Sequence, residues 1–187
     1  MRVITGSARG RRLGELEGLD TRPTTDRVKE GVFSALQFEI EDRPVLDLFA
    51  GTGQLGIECL SRGAPSAVFV DRRRDAVKLV RENLAATGLS ERARVVQGEA
   101  LDFLRNTGER FGLIFLDPPY ASGLLEEVFQ ELARREFQTL LPGGIIVAEH
   151  PADKPGPVAD GLTAKTYRYG KIAATLYRRI NGTRNES

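Results

Sequence analysis

Short apolar runs alternate with amphipathic segments along the chain from residue 45 onward. Five runs have the length and composition of buried strands, at residues 45–50, 67–71, 94–97, 113–117 and 145–149. Between them, apolar residues recur at helical spacing near residues 54–62, 73–87, 99–106 and 123–135. Because strands that alternate with helices form parallel sheets covered on both faces, the pattern predicts an α/β fold.

The two ends of the chain have a different pattern. Residues 1–24 place glycines between short apolar stretches, which predicts an N-terminal β-hairpin or extended arm. Thr24 or Thr25 can cap a helix predicted over residues 25–38. Residues 163–169 and 172–180 predict an antiparallel hairpin that closes the sheet. We therefore predict a single domain with its core at residues 25–180 and a flexible tail at 181–187.

The composition narrows the class of protein. With 187 residues, of which 41% are apolar, the chain can bury one sizeable core. It has no uninterrupted apolar run of about 18 residues and no N-terminal signal pattern, so we expect a soluble, cytoplasmic protein without a membrane partner. One cysteine, Cys59, and one histidine, His150, exclude the usual zinc cages, so no metal is expected. Cys59 is expected to be a buried apolar side chain.

The net charge of +1 conceals two basic ends. Such ends can contact nucleic-acid phosphates, or they can be solvated faces of edge strands. Both interpretations remain open from charge alone. The basic residues are Arg2, Arg9, Arg11 and Arg12 at one end, and Lys165, Arg168, Lys171, Arg178, Arg179 and Arg184 at the other.

A glycine turn follows the first predicted strand of the sheet. Gly51, Gly53 and Gly56 match the spacing of a dinucleotide fingerprint, and Asp71 ends the next strand. Glycines let the backbone approach a ligand, and a strand-end carboxylate can accept hydrogen bonds from ribose hydroxyls. The turn therefore predicts a nucleoside-containing cofactor, with a nicotinamide cofactor still possible at this point.

The fourth predicted strand ends in Asp117, Pro118, Pro119 and Tyr120. A rigid turn explains the prolines, but it does not require an acid before them and an aromatic ring after them. An aromatic amine is a poor nucleophile because its lone pair is delocalised into the ring. If the Asp117 carboxylate and the Pro118 carbonyl each accept one N–H, the lone pair is directed toward a methyl donor. Tyr120 can stack on the base.

These motifs resemble those of known methyltransferases. Asp47 with Gly51 and Gly53 resembles the first motif of class I S-adenosylmethionine (SAM)-dependent methyltransferases, and the 117–120 tetrapeptide resembles their amino-methylating motif. The resemblance implies a Rossmann-like fold with a mostly parallel seven-stranded sheet, helices on both faces and an antiparallel C-terminal hairpin. It implies that SAM is the cofactor, that S-adenosylhomocysteine is the product, and that the cofactor-binding residues are Asp47, Gly51, Thr52, Gly53, Asp71, Arg72, Glu99 and Ala100.

Two runs near the N-terminus narrow the resemblance to one family of methyltransferases. The run at 22–30, RPTTDRVKE, and the run at 6–11, GSARGR, are similar to those of the RsmD family of bacterial 16S rRNA guanine-N2 methyltransferases. The resemblance spans nearly the whole chain. It implies a monomeric enzyme whose partner is 16S rRNA within the small ribosomal subunit or an assembly intermediate. The residues expected to bind the substrate are Arg9, Arg11, Arg22, Thr24, Thr25 and Arg27.

Three alternatives remain at this stage. The same tetrapeptide would serve an adenine-N6 or cytosine-N4 DNA methyltransferase, but the chain has no visible target-recognition domain. A nicotinamide-dependent oxidoreductase would use the glycine turn and Asp71, but it would give Asp117 no role. A non-catalytic RNA-binding module would bind SAM without turnover. His150, at the end of the fifth strand, either lines the base pocket or is an ordinary strand-end residue.

Overall fold

The computed structural model describes residues 1–16, 25–120 and 122–180. The strands are β1 (Val45–Asp47), β2 (Ala67–Asp71), β3 (Ala93–Gln97), β4 (Phe111–Leu116), β5 (Leu140–Pro151), β6 (Leu162–Tyr169) and β7 (Ile172–Arg179). The helices are α1 (Thr25–Ala35), α2 (Gln54–Ser61), α3 (Arg74–Thr87), α4 (Ala100–Asn106) and α5 (Leu124–Arg134), with a 3₁₀ turn at Ser90–Arg92. Within these residues, no helix has the length and apolar character needed to cross a membrane.

The seven strands form one sheet in the order β3-β2-β1-β4-β5-β7-β6. Strands β1 to β5 are parallel, and β7 pairs antiparallel with both β5 and β6. The chain therefore winds in opposite directions on the two sides of β1. Open sheets of this kind bind ligands beside the carboxyl ends of the strands at such a reversal, here between β1 and β4. The predicted α/β fold with its closing hairpin is confirmed.

Alternate residues of the strands build two apolar cores. One face of the sheet, with Phe69 and Phe115, packs against α1, α2 and α3. The other face, with Val70 and Ile114, packs against α4 and α5. The Phe33 ring of α1 lies 6.0 Å from the Phe115 ring, centroid to centroid. Helix α1 is thus fixed over β4, near the point where the chain leaves the sheet toward Asp117.

The N-terminal segment forms less β-structure than its pattern predicts. In the described part of the arm, residues 1–16, a single antiparallel bridge joins Arg2 to Arg12. Around this bridge the Val3 N–H donates to the Arg11 carbonyl at 3.0 Å, and contacts with the domain hold the segment in addition. Val3 is buried in the core beside α1, and the Glu58 carboxylate of α2 accepts the N–H groups of Ile4 at 2.8 Å and Thr5 at 3.0 Å. The remainder of the predicted arm, 17–24, and the predicted tail, 181–187, lie outside the described residues.

Some predicted boundaries move because tertiary pairing extends or shortens an element. Strand β5 begins at Leu140, before the predicted residue 145, because Leu140 pairs with Phe111 across an irregularity in β4. Helix α1 ends at Ala35 rather than at residue 38, and Phe38 beyond it is 90% exposed. At the candidate site, β2 has its predicted bounds, whereas β1 ends at Asp47 rather than at residue 50 and β4 ends at Leu116 rather than at residue 117.

Candidate active site

A narrow cleft opens at the carboxyl ends of β4 and β5. Helix α1 and the start of α2 form its other walls. Its polar side chains are Lys29, Gln54, Asp117 and Glu149. Apolar side chains complete the lining, among them those of Val28, Val32, Leu55, Phe115 and Val147.

The glycine turn lies between β1 and α2, at the edge of this cleft. Gly51 has φ 55° and Gly53 has φ 78°, a left-handed conformation that side chains rarely adopt. A Cβ atom on Gly53 would also lie 3.2 Å from both methyl groups of Val80. The turn therefore requires glycine for its shape and for its close packing on α3.

Asp47 braces this turn from beneath. Its carboxyl is 2% exposed and accepts the N–H of Gly56 at 3.0 Å. The pKa of Asp47 is raised from 3.8 to about 7, mainly by burial; the Gly56 hydrogen bond opposes the shift, and the negative charge of Asp71 adds to it. Because Asp47 is enclosed by protein, it can act on a ligand only through the geometry of the turn.

Asp71 holds the other side of the turn. One carboxylate oxygen accepts the N–H of Gly51 at 2.9 Å, and the other accepts the N–H of Arg73 at 2.9 Å, at the start of α3. Asp71 therefore fixes the turn before α3, but it is not the helix cap that the sequence allowed, because Arg73 occupies the N-cap position. A carboxylate has about four lone-pair sites, so two remain that can accept ribose hydroxyls.

The other predicted cofactor residues lie around the same edge of the sheet. Gly98 donates its N–H to the Asp71 carbonyl at 3.0 Å, which brings the loop after β3 beside the end of β2. In that loop, Glu99 is exposed and precedes α4, and Ala100 is buried. Thr52 is half-buried in the turn, and its carbonyl accepts an Asn83 N–H at 2.9 Å, whereas Arg72 is exposed.

The 117–120 tetrapeptide begins where β4 ends, in the strand next to β1. Asp117 lines the cleft, Pro118 is buried and Pro119 is exposed. The Tyr120 hydroxyl donates a hydrogen bond to a Glu149 carboxylate oxygen at 2.5 Å. Because Glu149 belongs to β5, this bond ties the tetrapeptide to the neighbouring strand and limits the orientations of the Tyr120 ring.

A buried ion cluster supports the far wall of the cleft. The Lys29 amine of α1 lies 3.2 Å from the Glu58 carboxylate, and it donates to the Arg2 carbonyl at 3.1 Å. Arg62 donates to the same carboxylate at 2.9 Å. Burial lowers the pKa of Lys29, and Glu58 counteracts this. The cluster therefore joins the N-terminal segment, α1 and α2 into one rigid wall.

Sequence reasoning did not single out four residues of this region: Lys29, Gln54, Glu58 and Glu149. For Glu149 a signal existed, because it ends a predicted strand at the same edge of the sheet as Asp117. No sequence pattern pointed to Lys29 or Glu58, since a charged residue on a helix is normally solvated.

The predicted substrate-binding arginines lie partly within the described residues. Arg9 and Arg11 are exposed on the N-terminal segment, and Arg27 is exposed on the first turn of α1. Arg22, Thr24 and the side chain of Thr25 lie outside the described part of the chain. The three exposed guanidinium groups are accessible to a large partner such as RNA.

His150 and Cys59 are not part of the cleft lining. His150 is 4% exposed and faces the opposite side of β5 from Glu149, where its Nε2 lies 2.8 Å from the Thr175 hydroxyl. Cys59 is fully buried, and burial raises the pKa of its thiol well above the usual value. Among the residues that the structure describes, no cluster of side chains could hold a metal ion.

The sheet order, the glycine turn and the acidic residue at the adjacent strand end define a class I methyltransferase. A family profile described as "Conserved hypothetical protein 95" matches residues 1–178. The "Ribosomal RNA small subunit methyltransferase D" of Escherichia coli K12 is 36% identical over 181 residues, which covers 96% of this chain and 90% of that protein. Its counterpart of the same name in Haemophilus influenzae is 37% identical over 182 residues, covering 95% and 93%.

A solved structure agrees with the sequence comparison. The structure of the methyltransferase yhhF from Escherichia coli superposes on this protein with a TM-score of 0.86 and 36% sequence identity. The superposition covers 97% of this chain and 99% of the yhhF chain. The chain belongs to this family, the RsmD family, and is a methyltransferase.

Proposed function

We propose that this chain transfers a methyl group from SAM to the exocyclic N2 amino group of a guanine in 16S rRNA of the small ribosomal subunit. The position of Asp117 in a cleft beside the glycine turn carries the proposal. Relatives named as small-subunit rRNA methyltransferases match over nearly the whole chain, which favours that substrate class.

The residues present fit SAM as the cofactor. Gly51, beside which a Cβ would have no neighbour closer than 4.0 Å, leaves room for close approach of a ligand to the backbone, and Asp71 retains acceptor capacity at the end of β2. Glu99 follows β3, where it can accept the adenine amino group. When bound, SAM supplies an electrophilic methyl group, and S-adenosylhomocysteine is the product after transfer.

The chain's own part in the reaction is to orient the target amine. The Asp117 carboxylate accepts one N–H of the amine and the Pro118 carbonyl accepts the other, so the nitrogen lone pair points out of the base plane. Positioning of this kind supplies most of the catalysis. Once methylated, the nitrogen is cationic and its proton is acidic, so no strong base is required to remove that proton.

An aromatic ring and a set of exposed arginines help to bind the substrate. Tyr120, held by Glu149, offers an aromatic face on which the base can stack, and stacking contributes about 1–3 kcal/mol per base. Exposed Arg9, Arg11 and Arg27 offer phosphate contacts, which position an RNA without reading its sequence. The contact area of this basic segment is small, which suits a folded ribonucleoprotein partner better than a free strand.

The test is transfer of labelled methyl from SAM to small ribosomal subunits, naked 16S RNA and duplex DNA, followed by nucleoside analysis. We expect N2-methylguanosine from the ribosomal substrate. Asp117→Ala, which removes the acceptor, should abolish turnover and leave SAM affinity largely intact, whereas the exposed control Asp160→Ala should change neither. Methylated adenine or cytosine in DNA, or full turnover in Asp117→Ala, would contradict the proposal.

A further inference from the structure

Gln54 has an unusual position in the cleft. It is the first residue of α2, directly after the glycine turn, and its side chain lines the cleft together with Asp117. Among the described residues, its Oε1 is the one buried side-chain nitrogen or oxygen atom without a hydrogen-bond partner. A buried acceptor without a partner is costly, and native proteins satisfy nearly all such atoms. A bound ligand with an N–H or O–H group would satisfy this one.

The rest of the cleft indicates what kind of ligand that is. Its polar lining contains three side chains that can accept hydrogen bonds, those of Gln54, Asp117 and Glu149, and one cation, Lys29. One Glu149 oxygen already accepts the Tyr120 hydroxyl, and Lys29 is already bonded to the Arg2 carbonyl and paired with Glu58. The polar lining of the cleft therefore consists mainly of hydrogen-bond acceptors, and such a lining favours a ligand that presents more than one N–H donor.

The three amino-bearing bases differ in the atom beside the amine. In guanine one of the two ring nitrogens that flank the amine, N1, carries a hydrogen and is a donor, and the other, N3, is an acceptor. In adenine and cytosine the single ring nitrogen beside the amine, N1 or N3, carries a lone pair. Enzymes that act on an extracted base read this edge by hydrogen bonds. A second acceptor, in the same cleft as the one that holds the amine and directed at this ring nitrogen, complements guanine on its N1 side and repels the other two bases.

We propose that Gln54 Oε1 accepts the N1–H of the target guanine and is a specificity-determining contact for this base. The inference rests on the proposed function, because it requires the base to enter the cleft with its amine on Asp117. The ammonium group of the methionine part of SAM is another N–H donor, and it is the alternative source that the experiment must distinguish.

The experiment compares wild type with Gln54→Met, which has a similar length and no acceptor, and with Gln130→Met on the exposed surface of α5 as the control. Three quantities are measured: kcat/KM for small subunits that lack the modification, the Kd of SAM by calorimetry, and the Tm of the free protein. In Gln54→Met we expect kcat/KM to fall by about 10- to 100-fold, the effect of one buried hydrogen bond. The Kd of SAM should stay within about twofold, and the Tm should hold or rise because a buried unsatisfied atom is removed.

Two results would overturn the inference. If SAM affinity falls by the same factor as kcat/KM, the Gln54 acceptor serves the cofactor. If kcat/KM is unchanged, the acceptor contacts no reacting ligand. The wild-type reaction separates this inference from the proposed function: absence of N2-methylguanosine with wild-type enzyme refutes the function, whereas its presence with an unaffected Gln54→Met refutes the specificity contact alone.

Discussion

Replacing Asp47 by Asn should make the protein more stable, and increasingly so as the pH rises. The carboxyl is 2% exposed, and burial raises its pKa from 3.8 to about 7. Some groups have a higher pKa in the folded protein than in the unfolded chain. Such a group makes its full contribution to stability at pH values below its pKa in the unfolded chain. That stabilisation is lost as the pH rises through the folded value. For Asp47 the loss therefore spans pH values from about 4 to about 7.

The size of the effect follows from the shift. A change from 3.8 to about 7 is a difference of about 3 pKa units. At about 1.36 kcal/mol per unit, ionising Asp47 in the folded protein costs about 4 kcal/mol. Asn at this position keeps an oxygen that can accept the Gly56 N–H and carries no proton to lose, so it avoids that cost.

The measurement is urea unfolding of wild type and Asp47→Asn at several pH values from 4 to 8.5. The free energy of unfolding of the variant, relative to wild type, should rise by about 4 kcal/mol across this range. Asp75→Asn is the matched control, because its carboxyl is exposed and hydrogen bonding to Arg73 lowers its pKa. Asp75→Asn should be slightly less stable than wild type throughout this pH range, and that difference should disappear only as the pH falls below the ordinary carboxyl pKa of 3.8. A stability difference between wild type and Asp47→Asn that does not change with pH would refute the argument.

Other substitutions test the walls of the site. Glu58→Ala leaves the Lys29 amine buried without its carboxylate, and we expect a loss of about 3–5 kcal/mol in the free energy of unfolding, measured in urea. Gly31→Ala would place a Cβ 2.3 Å from the Tyr169 ring, so it should cost about 1–3 kcal/mol, and Tyr169→Ala in the same chain should recover part of that loss. Asp71→Ala should weaken SAM binding at least about tenfold, measured by calorimetry, because the loss of one hydrogen bond to a charged group has an effect of that size. Unchanged affinity would show that Asp71 does not bind the ribose of SAM.

The local pattern predicted the elements well for a physical reason. A strand buried on both faces needs a continuous apolar run, and a helix on a sheet needs an apolar stripe, so each element carries its own signal. Strand β2 was predicted at its observed bounds, Ala67–Asp71, because both faces of the strand are buried. The N-terminal hairpin is shorter than its pattern suggests, because only the backbone around the Arg2–Arg12 bridge pairs and the Glu58 carboxylate of α2 binds the next N–H groups.

The sequence alone determined the class of site: a glycine turn after one strand and an Asp-Pro-Pro-Tyr run after another must meet at one edge of a parallel sheet. Which further side chains enter the cleft was decided only by the tertiary structure. Glu149 and His150 are adjacent, and the pleat of β5 sends them to opposite faces, so a single-residue difference in register decides which one reaches the cleft. Lys29 is buried because Glu58, 29 positions further along the chain, neutralises it. Burial of a charge depends on partners that only the folded chain brings together.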